Sequence, residues 1–271
     1  MRKVIFILLM VGLVLCFGQK ATSQPKVNQV KTHRAKPTTS TRQTQNIDPN
    51  SKARIELEET SFDFGFAPQG NAKLVHTFVV KNSGEDTLRI IRVRPTCGCT
   101  AAPLEKKILA PGEKTNIKVI FRTRGYKRRT TKAVKIQSTD PTNTMVSLRF
   151  TANLDTTQWN DVSKGPRIKT DPKTLDLGKG KSFQLKTKTS IKNLSDQTLE
   201  LKVIDFTKDV ISDAKLKKTK IKGNKTTSLE VKINEDYDKN KPVQASITIA
   251  AYDKSGSEVT RVTIPLIGGG K

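Results

Sequence analysis

A chain of 271 residues carries a formal net charge of +25, with 28% charged and 5% aromatic side chains. Such a charge favours anionic partners through long-range attraction, while scarce aromatics without a repeated stacking ladder argue against nucleic acid as the ligand. Once a targeting segment is set aside, enough chain remains for one large domain or two of about a hundred residues.

The N-terminus opens with Met1-Arg2-Lys3, runs apolar from Val4 to Phe17 and turns polar at Gly18-Gln19-Lys20. A charged head, a hydrophobic middle and a small-residue exit predict a signal peptide over residues 1–18. The apolar run is shorter than the roughly 20 residues a membrane helix needs, so no transmembrane helix is expected in the mature chain. Cys16 raises lipid attachment as an alternative, against which stands the bulky Leu15 before it, and an uncleaved anchor is the third. The expected location is periplasmic or secreted, with association to the envelope. Residues 19–54 are rich in Lys, Thr, Gln, Ser, Asn and Pro. They bury too little area to offset the entropy of ordering and read as a disordered basic tether.

Residues 55–155 read as the first domain. Ile55-Glu56-Leu57-Glu58 and Ser61-Phe62-Asp63-Phe64-Gly65-Phe66 alternate with period two, as half-buried strands do. Leu74–Lys81 and Thr87–Val93 flank the turn-forming Asn82-Ser83-Gly84-Glu85-Asp86 and are expected to pair as an antiparallel hairpin. After Pro95-Thr96-Cys97-Gly98-Cys99-Thr100 comes the turn Ala110-Pro111-Gly112-Glu113. Strands over Thr115–Phe121, Lys132–Gln137 and Met145–Leu154 follow. One-faced strands with regular turns must bury their apolar side against a second layer, which predicts a β-sandwich.

A linker is expected over 156–170 and a second domain over 171–268. Leu175-Asp176-Leu177-Gly178 echoes Phe62-Asp63-Phe64-Gly65, and Ile191-Lys192-Asn193-Leu194-Ser195 echoes Val80-Lys81-Asn82-Ser83-Gly84. Lys225–Ile233 likewise follows Glu113–Phe121 at a nearly constant offset. A diverged repeat follows, so the fold class is all-β: two tandem immunoglobulin-like β-sandwiches. Asp63 and Asp176, at matching places, are expected to share a strand-end hydrogen bond, and Trp159 in the linker to pack the domains together. The second copy lacks cysteines, having Asp205-Phe206-Thr207-Lys208-Asp209 at that place.

Phe62-x-Phe64-Gly65, Gly70, His76-x-Phe78, Asn82-x-Gly84, Leu88-x-Ile90, Val93, Cys97-Gly98-Cys99-Thr100, Pro111-Gly112-Glu113 and Phe121 form a joint pattern over residues 55–154. It resembles a family of bacterial exported proteins of unknown function with an immunoglobulin-like fold and a CGCT signature. That family is in turn similar to the domains named after the microcephaly protein and hydin. The resemblance implies fold and export and leaves mechanism open; the second domain carries only the backbone-forming half of the pattern.

Cys97 and Cys99 admit three readings. A disulfide is compatible with the flexible Gly98 and an oxidising compartment, although so small a loop makes a poor staple. A Cu(I) site would use both thiolates with His76, which the expected hairpin places opposite Val93. Reduced thiols would be small apolar fillers or a link to a partner. Arg122, Arg124, Tyr126, Lys127, Arg128 and Arg129 form a basic loop suited to phosphate or carboxylate, with Tyr126 as a stacking surface. Lys215-Leu216-Lys217-Lys218-Thr219-Lys220 is a weaker patch of the same kind. His33 lies in the tether, and neither a phosphate loop nor a Ser-His-Asp arrangement occurs in suitable context. The expected function is a non-enzymatic structural or interaction module of the bacterial cell envelope, needing no cofactor and binding an envelope protein or an anionic surface polymer. The alternative is a thiol-redox or copper-handling protein centred on Cys97 and Cys99.

Overall fold

Alternating apolar side chains along short segments produce strands throughout. The computed structural model describes residues 47–154, 157, 159 and 163–270. The expected signal peptide and residues 19–46 of the expected tether lie outside the described residues, whereas residues 47–54, also read as tether, lead onto the first core: Ala53 is fully buried and Lys52 N–H donates to Asp86 Oδ2 at 2.7 Å. The first half holds β1 (Ile55–Leu57), β2 (Ser61–Phe66), β3 (Lys73–Asn82), β4 (Leu88–Pro95), β5 (Thr100–Ala101), β6 (Ile108–Leu109), β7 (Lys114–Arg122), β8 (Arg129–Ser138) and β9 (Met145–Asn153). The second holds β10 (Ile168–Asp171), β11 (Leu175–Asp176), β12 (Lys186–Asn193), β13 (Leu199–Phe206), β14 (Ile211–Leu216), β15 (Lys220–Ile221), β16 (Thr226–Ile233), β17 (Ala245–Tyr252) and β18 (Glu258–Ile267). β10 thus begins inside the stretch read from sequence as linker.

Two four-stranded sheets, β1-β3-β7-β5 and β10-β12-β16-β14, each cover part of one ten-stranded sheet ordered β15-β13-β17-β18-β2-β9-β8-β4-β6, with β11 beside β18. In the first half Leu74, Phe78, Val80, Ile117 and Phe121 of the small sheet meet Phe64, Ile90, Val134, Ile136, Leu148 and Phe150 of the large one. Each such side chain contributes about 1.5–3 kcal/mol by leaving water. A second core is built in the same way around Ile191, Leu201, Leu229, Val231, Ile247, Ile249, Val262 and Ile264.

The expected hairpin does not form. β3 pairs with β1 and β7, while β4 pairs with β6 and β8, so Asn82–Asp86 arches from one layer to the other. Both strands turn apolar residues toward the same core from opposite sides, and the buried Asn82 side chain fixes the arch. Its Nδ2 donates to the carbonyls of Asp86 (2.8 Å) and Leu109 (3.0 Å), and its Oδ1 accepts from Gly84 N–H (3.0 Å). A polar turn is compatible with a hairpin and with an arch, and only the bonds of Asn82 distinguish them.

The element order then repeats nine strands later, each small sheet running through equivalent members. Local devices recur as well. Asn193 donates to the carbonyls of Gln197 (2.7 Å) and Ile221 (3.2 Å) and accepts from Ser195 N–H (2.9 Å), as Asn82 does in the first copy. Asp63 accepts from Gly65 N–H (2.8 Å) and Asp176 from Gly178 N–H (2.9 Å), the shared strand-end bond expected from sequence.

Residues 46–271 form one compact unit. β18 lies parallel to β2, with Val262 opposite Phe66, so the large sheet is continuous through both halves. Thr263 Oγ1 donates to Phe64 O (2.5 Å), Ser246 Oγ donates to Val75 O (3.0 Å) and accepts from Val75 N–H (2.8 Å), and Arg261 Nη1 donates to Asp63 O (2.8 Å). Gly65, at φ +65°, is required here because a Cβ would sit 2.2 Å from Arg261 O. Trp159, 1% exposed, belongs to the second core and meets Phe66 of the first half edge-on at 6.4 Å, so it packs the halves together as expected.

Because the halves share a sheet, Asn82→Ala is expected to lower stability by about 1–3 kcal/mol through orphaned carbonyls. It should shift Trp159 fluorescence and far-UV circular dichroism together in urea unfolding, although Trp159 reports the other half. Asn193→Ala should behave alike; separated transitions would show that the halves unfold independently. Asp140, fully buried, tests the acid side. Burial pushes its carboxyl upward, but bonds from Ile55 N–H, Thr142 Oγ1–H and the N–H groups of Asn143 and Thr142 outweigh this and hold it below the ordinary carboxylate range. A depressed folded value contributes stability above the unfolded value and loses it as pH falls through the folded one. Asp140→Asn should therefore cost about 1–3 kcal/mol at pH 7, and chemical unfolding from pH 7 to 2 should show that gap closing in acid.

Candidate functional site

The cysteine segment carries the chain from the large sheet to the small one. β4 ends at Pro95, opposite Val134 of β8, and β5 begins at Thr100, opposite Phe121 of β7. Thr96 holds the near bank: its N–H (2.9 Å) and hydroxyl (3.1 Å) both donate to Ala133 O. Arg122 N–H holds the far bank by donating to Cys99 O (2.9 Å). Between them Cys97 and Cys99 are joined by a disulfide. Gly98 is exposed with open space around it, both cysteines are half-buried, and Cys99 packs on the rim of the first core. Thr100 Oγ1 lies 3.5 Å from Cys97 Sγ and 3.6 Å from Cys99 Sγ.

The same pairing brings the basic loop beside the crossover, since Arg122 follows Phe121 directly. Arg122, Arg124, Lys127 and Arg128 are exposed and, among the described residues, form none of the ion pairs. Arg129 differs, donating from Nη2 to Asp63 Oδ2 at 3.0 Å. Tyr126 is not the open stacking surface expected from sequence. Its ring is half-buried against the core, 5.4 Å from Phe121, and Lys132 Nζ lies 4.7 Å from its centroid. An aromatic ring at the base of a polar loop gains more from burial than from exposure, so Tyr126 anchors the loop. Thr123 braces it further, with N–H to Ala72 O (3.1 Å) and hydroxyl to Gly70 O (3.2 Å). Lys73, the cross-strand neighbour of Arg122, has its ammonium pushed down by burial and then by the Arg122 charge.

His76 stands elsewhere. Without the hairpin it lies opposite Val119 of β7, not Val93. Its Nδ1 is 2.8 Å from Asp205 Oδ2 in the second half and its Nε2 is 2.5 Å from Glu59 Oε1. The ring stacks on Phe62 at 3.7 Å and meets Phe78 edge-on at 4.7 Å. Each nitrogen faces a carboxylate oxygen, and neither faces a cysteine sulfur. Among the described residues no group of three or more His, Cys, Asp or Glu is placed to hold a metal ion, so copper coordination by Cys97, Cys99 and His76 loses its geometric premise. Sequence reasoning missed Glu59 and Asp205 as partners of His76. Asp205 is 129 residues away, and no local pattern marks such a contact.

No helix among the described residues is long and apolar enough to cross a membrane. The weaker basic patch runs from the end of β14 into β15, with Lys215, Lys217, Lys218 and Lys220 exposed.

Residues 55–154 match the family described as protein of unknown function DUF1573. A search of curated proteins finds no match. Similar solved structures include a protein of unknown function from Porphyromonas gingivalis W83, 16% identical, covering 79% of this chain and 99% of that one with a TM-score of 0.31. The YadV chaperone is 10% identical over 79% of this chain and 100% of its own, with a TM-score of 0.28. The PapD-like domain 7 of human CEP192 is 14% identical over 48% of this chain and 97% of its own, with a TM-score of 0.29. Other matched structures include further chaperones and a secreted serine protease, all at TM-scores of 0.29 to 0.31. The region matching the family of unknown function is the half that carries both the cysteine crossover and the basic loop.

Proposed function

We propose that this chain is an exported, non-enzymatic interaction module of the bacterial cell envelope, built as two immunoglobulin-like sandwiches fused in tandem. In this reading the loop Arg122–Arg129 docks on an anionic partner, an acidic protein face or an anionic surface polymer. One observation carries it: Arg122, Arg124, Lys127 and Arg128 are exposed and outside every ion pair among the described residues, on a loop braced by Tyr126 and Thr123. A braced loop loses less freedom on binding than a floppy one, and unpaired guanidinium groups offer bidentate contacts to phosphate or carboxylate. Export rests on the N-terminal charged and apolar segments.

Binding of the mature chain, residues 19–271, is best measured on phosphatidylglycerol vesicles, an acidic polysaccharide and neutral vesicles at two salt concentrations. The triple variant Arg124→Ser, Lys127→Ser, Arg128→Ser should weaken binding to the favoured anion by about tenfold or more, and added salt should weaken the wild type. The matched control Lys215→Ser, Lys217→Ser, Lys218→Ser should leave most of the affinity. Equal losses in both variants would reduce the interaction to overall charge and overturn the loop as its site. Binding to neither anionic surface would direct the search to an acidic envelope protein.

A further inference from the structure

The repeated architecture contains its own control for the disulfide. In the second half β13 ends at Phe206 and β14 begins at Ile211, so Thr207-Lys208-Asp209-Val210 makes the same passage between sheets without cysteine. Thr207 N–H donates to Ser246 O (3.2 Å) just as Thr96 N–H donates to Ala133 O (2.9 Å), so one threonine holds the bank in each copy. The tight turn in the second copy closes through backbone bonds alone, Val210 N–H (3.1 Å) and Ile211 N–H (2.8 Å) both to Thr207 O. The crossing therefore folds without a covalent tie. A bond between residues two apart also removes very little entropy from the unfolded chain, so it adds little as a staple.

We propose that the Cys97–Cys99 disulfide is a thiol-exchange site, reduced and re-formed in the folded protein by a dithiol partner. Three features of the crossover suit that chemistry. Gly98 is exposed with nothing within 4 Å of where a side chain would begin, which leaves an approach to the bond. Cys99 rests on the core rim, so Cys97 is the sulfur an incoming thiolate meets. Thr100 Oγ1 stands within reach of both sulfurs, a hydroxyl able to donate to whichever becomes a thiolate, and the exposed Arg94 and Arg122 flank the segment with positive charge.

The exchange is written as two displacements. A thiolate of the partner attacks Cys97 Sγ; a bond forms between these sulfurs, the Cys97–Cys99 bond breaks, and Cys99 leaves with the electron pair as a thiolate that accepts the Thr100 hydroxyl proton in a hydrogen bond. The partner's second thiolate then attacks its own sulfur in the mixed disulfide, and Cys97 leaves as a thiolate. The partner ends as a disulfide, oxidised by two electrons. Cys97 and Cys99 end as a dithiol, reduced by two electrons, and take up the two protons the partner's thiols gave up. This site is independent of the anionic partner proposed for the loop.

The test uses the mature chain with dithiothreitol as the dithiol, thiol alkylation as the trap, and intact mass and thermal unfolding as readouts. Expected are two alkyl groups per folded chain after mild reduction, with a melting temperature changed by less than about 2 °C. Oxidised glutathione should then restore the unreactive form. Cys99→Ser should leave Cys97 free to take up one glutathione by exchange. Thr100→Val, which keeps the shape of the side chain, should slow reduction by roughly threefold or more through a poorer leaving thiolate. A bond that opens only when the protein unfolds, or whose reduction lowers the melting temperature as loss of a staple would, overturns the proposal. An unchanged rate in Thr100→Val with normal melting overturns the role of its hydroxyl.

Discussion

The fold depends on how the long strand β18 finds partners for both of its sides. β17 occupies one side along almost its whole length. On the other, β11 covers only Leu266 and Ile267, which leaves the earlier part of β18 without a neighbour from its own half. Backbone groups left unpaired in so apolar a setting would be costly. β2 of the first half meets β18 there at one pair, Val262 opposite Phe66, supplemented by the Arg261 and Thr263 side chains donating to Asp63 O and Phe64 O, while β2 also pairs in parallel with β9. One short strand thus completes two cores, and its Gly65 permits the close approach. The repeat therefore yields one continuous sheet instead of two beads on a string.

The junction is polar as well as paired. His76, 7% exposed, sits between Glu59 and Asp205 under the Phe62 ring, and Lys118 donates to Asp209 at 2.6 Å on the same side. His76 is buried while its partners are partly exposed, so water moderates the energy of these contacts. Their contribution is better seen as orientation: a planar ring bonded at both nitrogens accepts few relative placements of the two halves. The crossover and the basic loop are thereby held at a defined attitude to the second half.

Strand positions were legible in the sequence because a one-faced strand must alternate, as Ser61–Phe66 and Thr115–Phe121 do. The repeat was legible because turn-forming residues are less free to drift than core residues; Asp63 and Asp176 keep the same bond despite little identity around them. Sheet membership was not. Asn82-Ser83-Gly84 has the composition of a hairpin turn, yet whether β3 and β4 pair or stack depends on Leu109, which Asn82 reaches across 27 residues. The adjacency of the cysteines and the basic loop was hidden for the same reason, since it rests on Thr100 pairing with Phe121. Tyr126 was misplaced because charge density around an aromatic says nothing of which way the ring turns.

The continuous sheet also has borders. Its outermost strands, β6 and β15, are two residues each, Ile108–Leu109 and Lys220–Ile221. A broad, twisted sheet with long open margins would be a template on which further copies of the chain could grow by backbone pairing. These two strands cap only Leu88–Arg89 of β4 and Leu199–Glu200 of β13, so the later parts of β4 and β13 have no ladder partner on their outer side among the described residues. The width of the sheet is supplied within one chain, where β2 of the first half meets β18 of the second.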